Sequence, residues 1–175
     1  METHLVTHTL EPIFNERSRV LILGTMPSPV SREVGFYYGH PHNRFWRVME
    51  RLFCLPDHAL VHPDERRAFL LAHGIALWDV LASCTIAGAS DASIDNARPN
   101  DIVCILDAAP IELVCTTGGK ASALCRRFFG ELLKQRGIEQ LSLPSTSSAN
   151  ARMRLDDLVC AYCPLCAHLD TPHGA

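Results

Sequence analysis

RVLILGTMPSPVSREVGFYYGHPHNRFW, residues 19–46, is the stretch from which the rest of the chain can be read. Its apolar run, Val20, Leu21, Ile22 and Leu23, stops abruptly at Gly24. An uninterrupted run of this length bounded by turn residues predicts a strand buried on both faces. Such strands belong to parallel sheets covered by helices, and ligands sit just beyond the carboxyl ends of those strands. The residues after the run are therefore candidates for a substrate site: Gly24, Thr25, Met26, Pro27 and Ser28, then Phe36, Tyr37, Tyr38, Gly39, His40, Pro41, His42 and Asn43. Small residues allow close approach to the backbone, successive aromatics offer flat surfaces, and His and Asn offer hydrogen bonds. A flat heterocycle needs that inventory.

Outward from this stretch, the pattern alternates strand and helix. An apolar stripe of Phe45, Trp46, Met49 and Leu52 predicts a helix over 44–53, ended by Pro56. A second helix starts at Pro63, with Asp64 and Glu65 at its positive end, and stops at Gly74. Residues 75–81 predict the second strand, and 83–97 a connection rich in Ala, Ser and Asp. Asn100 is the expected N-cap of a short helix over 101–106. A third strand follows at 111–117, a long helix at 120–136, a fourth strand at 139–143 and a last helix at 151–165. Residues 1–18 read as a lead-in, and the tail DTPHGA, 170–175, is expected to be disordered. The implied fold is α/β, a three-layer α/β/α sandwich around a four-stranded, mainly parallel central sheet. One domain over 1–175, with its core at about 19–167, is expected from 175 residues without a repeat or linker.

An apolar fraction of 47% and a charged fraction of 20% are those of a globular protein, and no run is long enough for a membrane span. The N-terminus lacks the basic and apolar regions of a secretory signal, so a cytoplasmic protein is expected. A net charge of −3 argues against an indiscriminate polyanion binder but leaves room for a local basic face. Arg44, Arg47 and Arg51 share one side of the predicted helix, where a solvated face is the plain alternative. Cys54, Cys84, Cys104, Cys115 and Cys125 are scattered and read as small buried hydrophobes. Cys160, Cys163 and Cys166 have a metal-like spacing, but the same spacing is one buried face of a C-terminal helix, and packing is the preferred reading.

A second loop, Pro144 to Asn150 (PSTSSAN), follows the fourth strand at its carboxyl end. Its hydroxyls, placed before a helix, suit a phosphate, and simple capping is the alternative. Gly118, Gly119, Lys120 and Ala121 fail the nucleotide P-loop spacing at both ends. His40 and His42 are two apart with no third ligand signalled. No nucleophile elbow or Cys–His arrangement is present, and the only lysines, Lys120 and Lys134, lie outside the two principal loops. Asn43 is the most unusual polar group, with an N-cap as its ordinary role.

The ordered set LILGTMPS, GFYYGHPHNRFW, LWDVL, RPNDI and LPSTSSANA resembles the hypoxanthine-DNA glycosylases, family six of the uracil-DNA glycosylase superfamily, over roughly residues 19–152. The resemblance implies the superfamily's α/β/α sandwich and a cofactor-free, metal-free hydrolysis of the N-glycosidic bond of a deaminated base flipped out of DNA. It implies that Gly24, Thr25, Met26, Pro27 and Ser28 form the first motif. Other members carry a catalytic Asp or Asn there, and in family six the resemblance gives that role to the Asn of the HPxN segment, which is Asn43 here. Asn43 would position water and stabilise the departing base, Phe36, Tyr37 or Tyr38 would stack on it, and His40 would hydrogen-bond it. Ser145, Thr146, Ser147, Ser148 and Asn150 match the second motif, gripping phosphates, and Arg44 and Arg47 would add charge for the DNA backbone. Ser148 stands where the family has Pro, and the cysteine-rich end departs from the family's C-terminal helix. DNA carrying deaminated bases is the implied partner of a monomer that hands its product to abasic-site repair enzymes.

Overall fold

The computed structural model describes residues 3–87 and 93–169, so the tail 170–175 and the middle of the 83–97 connection lie outside the described residues. Four parallel strands form the central sheet in the order β3-β2-β6-β7: β2 is Val20–Gly24, β3 Ile75–Asp79, β6 Leu113–Thr117 and β7 Glu139–Leu143. All five residues of β2 and of β6 are buried, as central strands covered by helices on both faces require. The register aligns the strand ends: Gly24 pairs with Asp79, Leu23 with Thr116, and Thr117 with Leu143. Gly24, Asp79 and Thr117 thus emerge together at the carboxyl edge.

Helices α2 (Phe45–Leu52), α3 (Pro63–Ala72) and α6 (Leu155–Tyr162) cover one face. There Phe45, Met49, Leu70, Leu158 and Tyr162 pack with Ile22, Leu77 and Cys115. Helices α4 (Val103–Ala108) and α5 (Gly119–Gln135) cover the other, where Ile105, Leu124, Phe129 and Leu133 pack with Leu21, Leu23 and Val114. Each aliphatic side chain buried in this way contributes about 1.5–3 kcal/mol. The three layers and the parallel sheet are those expected.

The departures are informative. The lead-in and the 83–97 connection build a second sheet, order β1-β4-β5, from β1 (Thr3–Thr7), β4 (Leu81–Ala87) and β5 (Asp95–Pro99), all antiparallel. Its buried positions in β1 and β4, Val6, Leu81, Cys84 and Ile86, follow no regular alternation, and Thr3 pairs with the distant Ala87, so no local signal announces it. The predicted strand 75–81 is really two, since Asp79 ends β3 and Leu81 begins β4 in the other sheet. Asn100 caps no helix. It is buried, and its amide donates to the carbonyls of Asp79 and Leu81, both at 3.0 Å, which holds that strand switch. Asp101 instead accepts the Val103 N–H, at 3.1 Å.

Helix α1 (Pro29–Val34) interrupts the expected long loop, with the Ser28 hydroxyl as its N-cap and Gly35 at φ +74° ending it. Helix α6 starts at Leu155, not at 151, and gives way to a 3-10 turn at Cys163–Ala167. That shift overturns the packing reading of the three cysteines. The buried face is Leu158, Tyr162 and Leu165, whereas Cys160 and Cys163 are exposed and Cys166 is half-buried. Among the described residues no three His, Cys, Asp or Glu side chains are grouped so as to hold a metal ion. Of the other five cysteines, Cys84, Cys115 and Cys125 are buried as expected, while Cys54 and Cys104 are exposed.

Candidate active site

A cavity of about 400 Å³ opens at the carboxyl edge of the central sheet, within the range that holds small molecules. Its wall runs from Gly24 through Thr25, Met26, Pro27 and Ser28 to Tyr37, Tyr38 and Asn43, and is completed by Asp79, Thr117, Ser145 and Ser147. His4, Val6, Cys84 and Ile86 of the antiparallel sheet close one side. The two loops singled out from the sequence do converge here.

Tyr38 sits at φ +51°, a backbone conformation costly for a non-glycine residue and typical of functional sites. One ring face stacks on Phe45, with centroids 4.0 Å apart, and its hydroxyl bonds the Thr117 hydroxyl at 3.1 Å. Tyr37 donates its hydroxyl to the Glu11 carbonyl at 2.8 Å. Burial, and next to it the Asp79 charge, push both phenols well above the ordinary tyrosine range, so both are neutral donors at physiological pH.

Asn43 stands one residue before the N-cap of α2, which is Arg44, and is held by its amide oxygen. Its Oδ1 accepts the Phe45 N–H and the Thr146 hydroxyl, each at 2.9 Å. The backbone donor fixes which end of the amide is oxygen. The NH2 group is then the part of the side chain with no protein partner among the described residues, at a cavity wall.

Arg44 corrects an expectation. Its guanidinium donates to the carbonyls of Thr146 (3.3 Å), Ser147 (2.7 Å), Asn150 (3.0 Å) and Met153. A guanidinium has five N–H donors, so little is left for a phosphate. Arg44 is the tether that holds the second loop against the start of α2. Thr146, 1% exposed, has its hydroxyl likewise committed to Asn43. Asn150 folds the loop on itself through the Ser145 carbonyl, at 3.0 Å. Ser145 and Ser147 reach the cavity, Ser148 is exposed away from its wall, and Arg47 is exposed on α2. The serine run therefore sits in a tethered loop rather than on a helix N-terminus. Gly118, at φ +97°, lets that loop approach, since a Cβ there would meet the Ser145 Cβ at 3.2 Å.

Two of the residues expected at the substrate site, Phe36 and His40, are not in the cavity wall. Phe36 is 6% exposed and packs edge-on against Tyr37 with Trp46 alongside, so it is core and not a stacking platform. His40 does not line the cavity; its Nδ1 accepts the His42 N–H at 3.1 Å, an ordinary turn contact. Sequence reading also missed Asp79. Its Oδ2 accepts a hydrogen bond from His8 Nε2 at 2.8 Å, and a Cβ on Gly24 would fall on its Oδ1. The smallness of Gly24 thus serves Asp79 first. Burial raises the Asp79 carboxyl above the usual carboxylate range, with the His8 hydrogen bond opposing. The rule that pointed to the ends of the first and fourth strands, applied to the second and third, yields Asp79 and Thr117.

Comparison with known proteins agrees with this geometry. The profile of the Uracil DNA glycosylase superfamily matches residues 11–163. A Methanosarcina acetivorans protein named hypoxanthine DNA glycosylase is 34% identical over 142 residues, 80% of this chain and 85% of the relative. A Methanosarcina barkeri protein of the same name is 32% identical over 142 residues, 81% of this chain and 86% of the relative. The solution NMR structure of a Methanosarcina acetivorans protein described as a candidate uracil DNA glycosylase superposes with a TM-score of 0.75 at 28% identity, covering 93% of this chain and 99% of the other. With the matched residues spanning the central sheet and both cavity loops, the chain belongs to the uracil DNA glycosylase superfamily.

Proposed function

We propose that this DNA glycosylase hydrolyses the N-glycosidic bond of hypoxanthine in DNA, and accepts uracil or xanthine through the same amide edge. The observation that carries the reading is Asn43, its oxygen anchored by Thr146 and Phe45 and its NH2 group left to the cavity. An amide cannot take a proton from water at neutral pH. Its use is electrostatic, as a fixed donor toward the negative charge that builds on the departing base. Departure leaves an oxocarbenium-like sugar, which water attacks readily.

Chemistry on a base in DNA requires that the nucleotide be flipped. Tyr38, which lines the cavity, offers an aromatic surface to the base, and the hydroxyls of Ser145 and Ser147 suit the flanking phosphates. None of the described residues lining the cavity is a lysine, which favours a monofunctional enzyme that leaves an abasic site uncut. The protein is proposed to act as a cytoplasmic monomer and to pass that site to downstream repair enzymes.

Incubation with labelled single- and double-stranded oligonucleotides carrying deoxyinosine, deoxyuridine or deoxyxanthosine tests this directly. Strand breaks that appear only after heat or alkali are the expected result. Breaks without that treatment would contradict the monofunctional reading. No break from any of them, with folded protein, would point to a damaged-base sensor instead.

A further inference from the structure

Building on the glycosylase reading, we infer that Asp79, held by His8, reads the ring N–H of the deaminated base and so separates hypoxanthine from adenine and uracil from cytosine. The cavity has a polarity of depth. Asn43, Ser145 and Ser147 are half-buried, whereas Thr25, Asp79 and Thr117 are 6%, 5% and 9% exposed. A flipped nucleotide enters base first with its phosphates outside, so the deep polar groups meet the base.

Asp79 is the acceptor at that depth. A buried carboxylate has four lone-pair sites and is costly unless they are used. Its oxygens have one side-chain donor among the described residues, His8, at 2.8 Å, and the absent Cβ of Gly24 leaves room for Oδ1. The Asn100 amide serves the Asp79 backbone carbonyl, not the carboxylate. Hypoxanthine N1–H and uracil N3–H are donors beside a carbonyl, and fit. Adenine and cytosine carry a lone pair at that ring position, which a carboxylate repels. Guanine carries the same N1–H, so this contact does not exclude it.

His8 fixes the acceptor's state. Its Nδ1 accepts the Leu10 N–H at 3.2 Å, so the ring proton lies on Nε2 and points at Asp79. Tyr37 and Trp78 flank the imidazole, each with ring centroids at 6.2 Å. His8 is therefore a positioning residue, delivered by the segment that follows β1. The other titratable or charged groups around the cavity are His4 and Cys84 from the antiparallel sheet, Tyr37 and Tyr38 from the aromatic loop, and Arg32 from α1.

The test is a ratio, the single-turnover release rate from deoxyinosine over that from 1-methyldeoxyinosine, which lacks the N–H. Wild type is expected to favour deoxyinosine on the order of 10²-fold, and Asp79→Ala to bring the ratio close to one, because the donor loses its acceptor and the methyl group gains space. In Asp79→Asn, whose shape is conserved, release of purine from deoxynebularine, with its lone pair at N1, is expected to rise roughly tenfold relative to deoxyinosine. In His8→Ala the acid limb of the pH–rate profile is expected to move to higher pH, since the donor that favours the ionised carboxylate is gone. Ratios unchanged in both Asp79 variants, with all rates falling together, would overturn the inference and make Asp79 a water-activating or purely structural group. Wild type that releases neither base overturns the glycosylase reading itself, and the inference with it.

Discussion

Asn43 carries two jobs that can be separated by experiment. As the acceptor of the Phe45 N–H it closes the turn that leads into α2, and as an amide at the cavity wall it is proposed to meet the substrate. Asn43→Ala should lower Tm by an amount equivalent to about 1 kcal/mol, because the Phe45 N–H and the Thr146 hydroxyl lose their acceptor. The same change should slow base release by about 10²–10³-fold, far more than the stability loss explains. Gly24 makes a sharper case, because the obstacle is a named atom. Gly24→Ala would drive a methyl group into the Asp79 carboxylate, and is expected to abolish measurable release while the far-ultraviolet dichroism stays native. Asn43 stood out in the sequence as a polar group beside three aromatics after a strand, and its catalytic role was an implication of the family resemblance. Phe36 misled because adjacent aromatics look equivalent in a sequence, and only the fold decides which one Trp46 covers.

At the scale of elements, the second loop works because something outside it sets its shape. Arg44 binds three of its carbonyls and that of Met153 just beyond it, and Thr146 reaches back to Asn43, so the loop and the Asn43 amide form one unit. Arg44→Ala should cost about 2 kcal/mol through carbonyls left without donors, and lower the release rate. It should leave the salt dependence of DNA binding unchanged. Arg47, exposed on α2, makes the contrast: Arg47→Ala should flatten the slope of log affinity against log salt by about 0.9 if it meets a phosphate. Filter-binding titrations from low to moderate salt check both. Three of the central strands were readable as short, mainly apolar runs bounded by turn residues, and β7, EQLSL, by its place between Gly137 and Pro144. The antiparallel sheet was not, because Thr3–Thr7 and Leu81–Ala87 find each other only after the chain has folded. Helix α1 was hidden because Ser28 and Pro29, an N-cap and a first helical residue, sit in a stretch otherwise read as loop.

Across the whole molecule, the central sheet supplies Asp79 and the segment after β1 supplies His8, so the cavity is finished only where the two sheets meet. That completion has a thermodynamic signature. The folded Asp79 carboxyl titrates above its unfolded value, so the folded state binds that proton more tightly. Its stability contribution is full below the unfolded value and is lost as pH rises through the folded one. Asp79→Asn is therefore expected to melt above wild type at pH 7–8, with the gap closing in acid, even though its selectivity is impaired. Thermal melts across that range check the sign.

Collecting the released base itself puts base excision and the role of Asn43 to trial together. Under single-turnover conditions with a deoxyinosine duplex, wild type is expected to yield free hypoxanthine by chromatography, one per site, from an uncut strand, and Asn43→Ala to yield it at least about 10²-fold more slowly. Folded wild type that frees no hypoxanthine would refute the excision of that base, and an Asn43→Ala protein that frees it at the wild-type rate would refute catalysis by the amide.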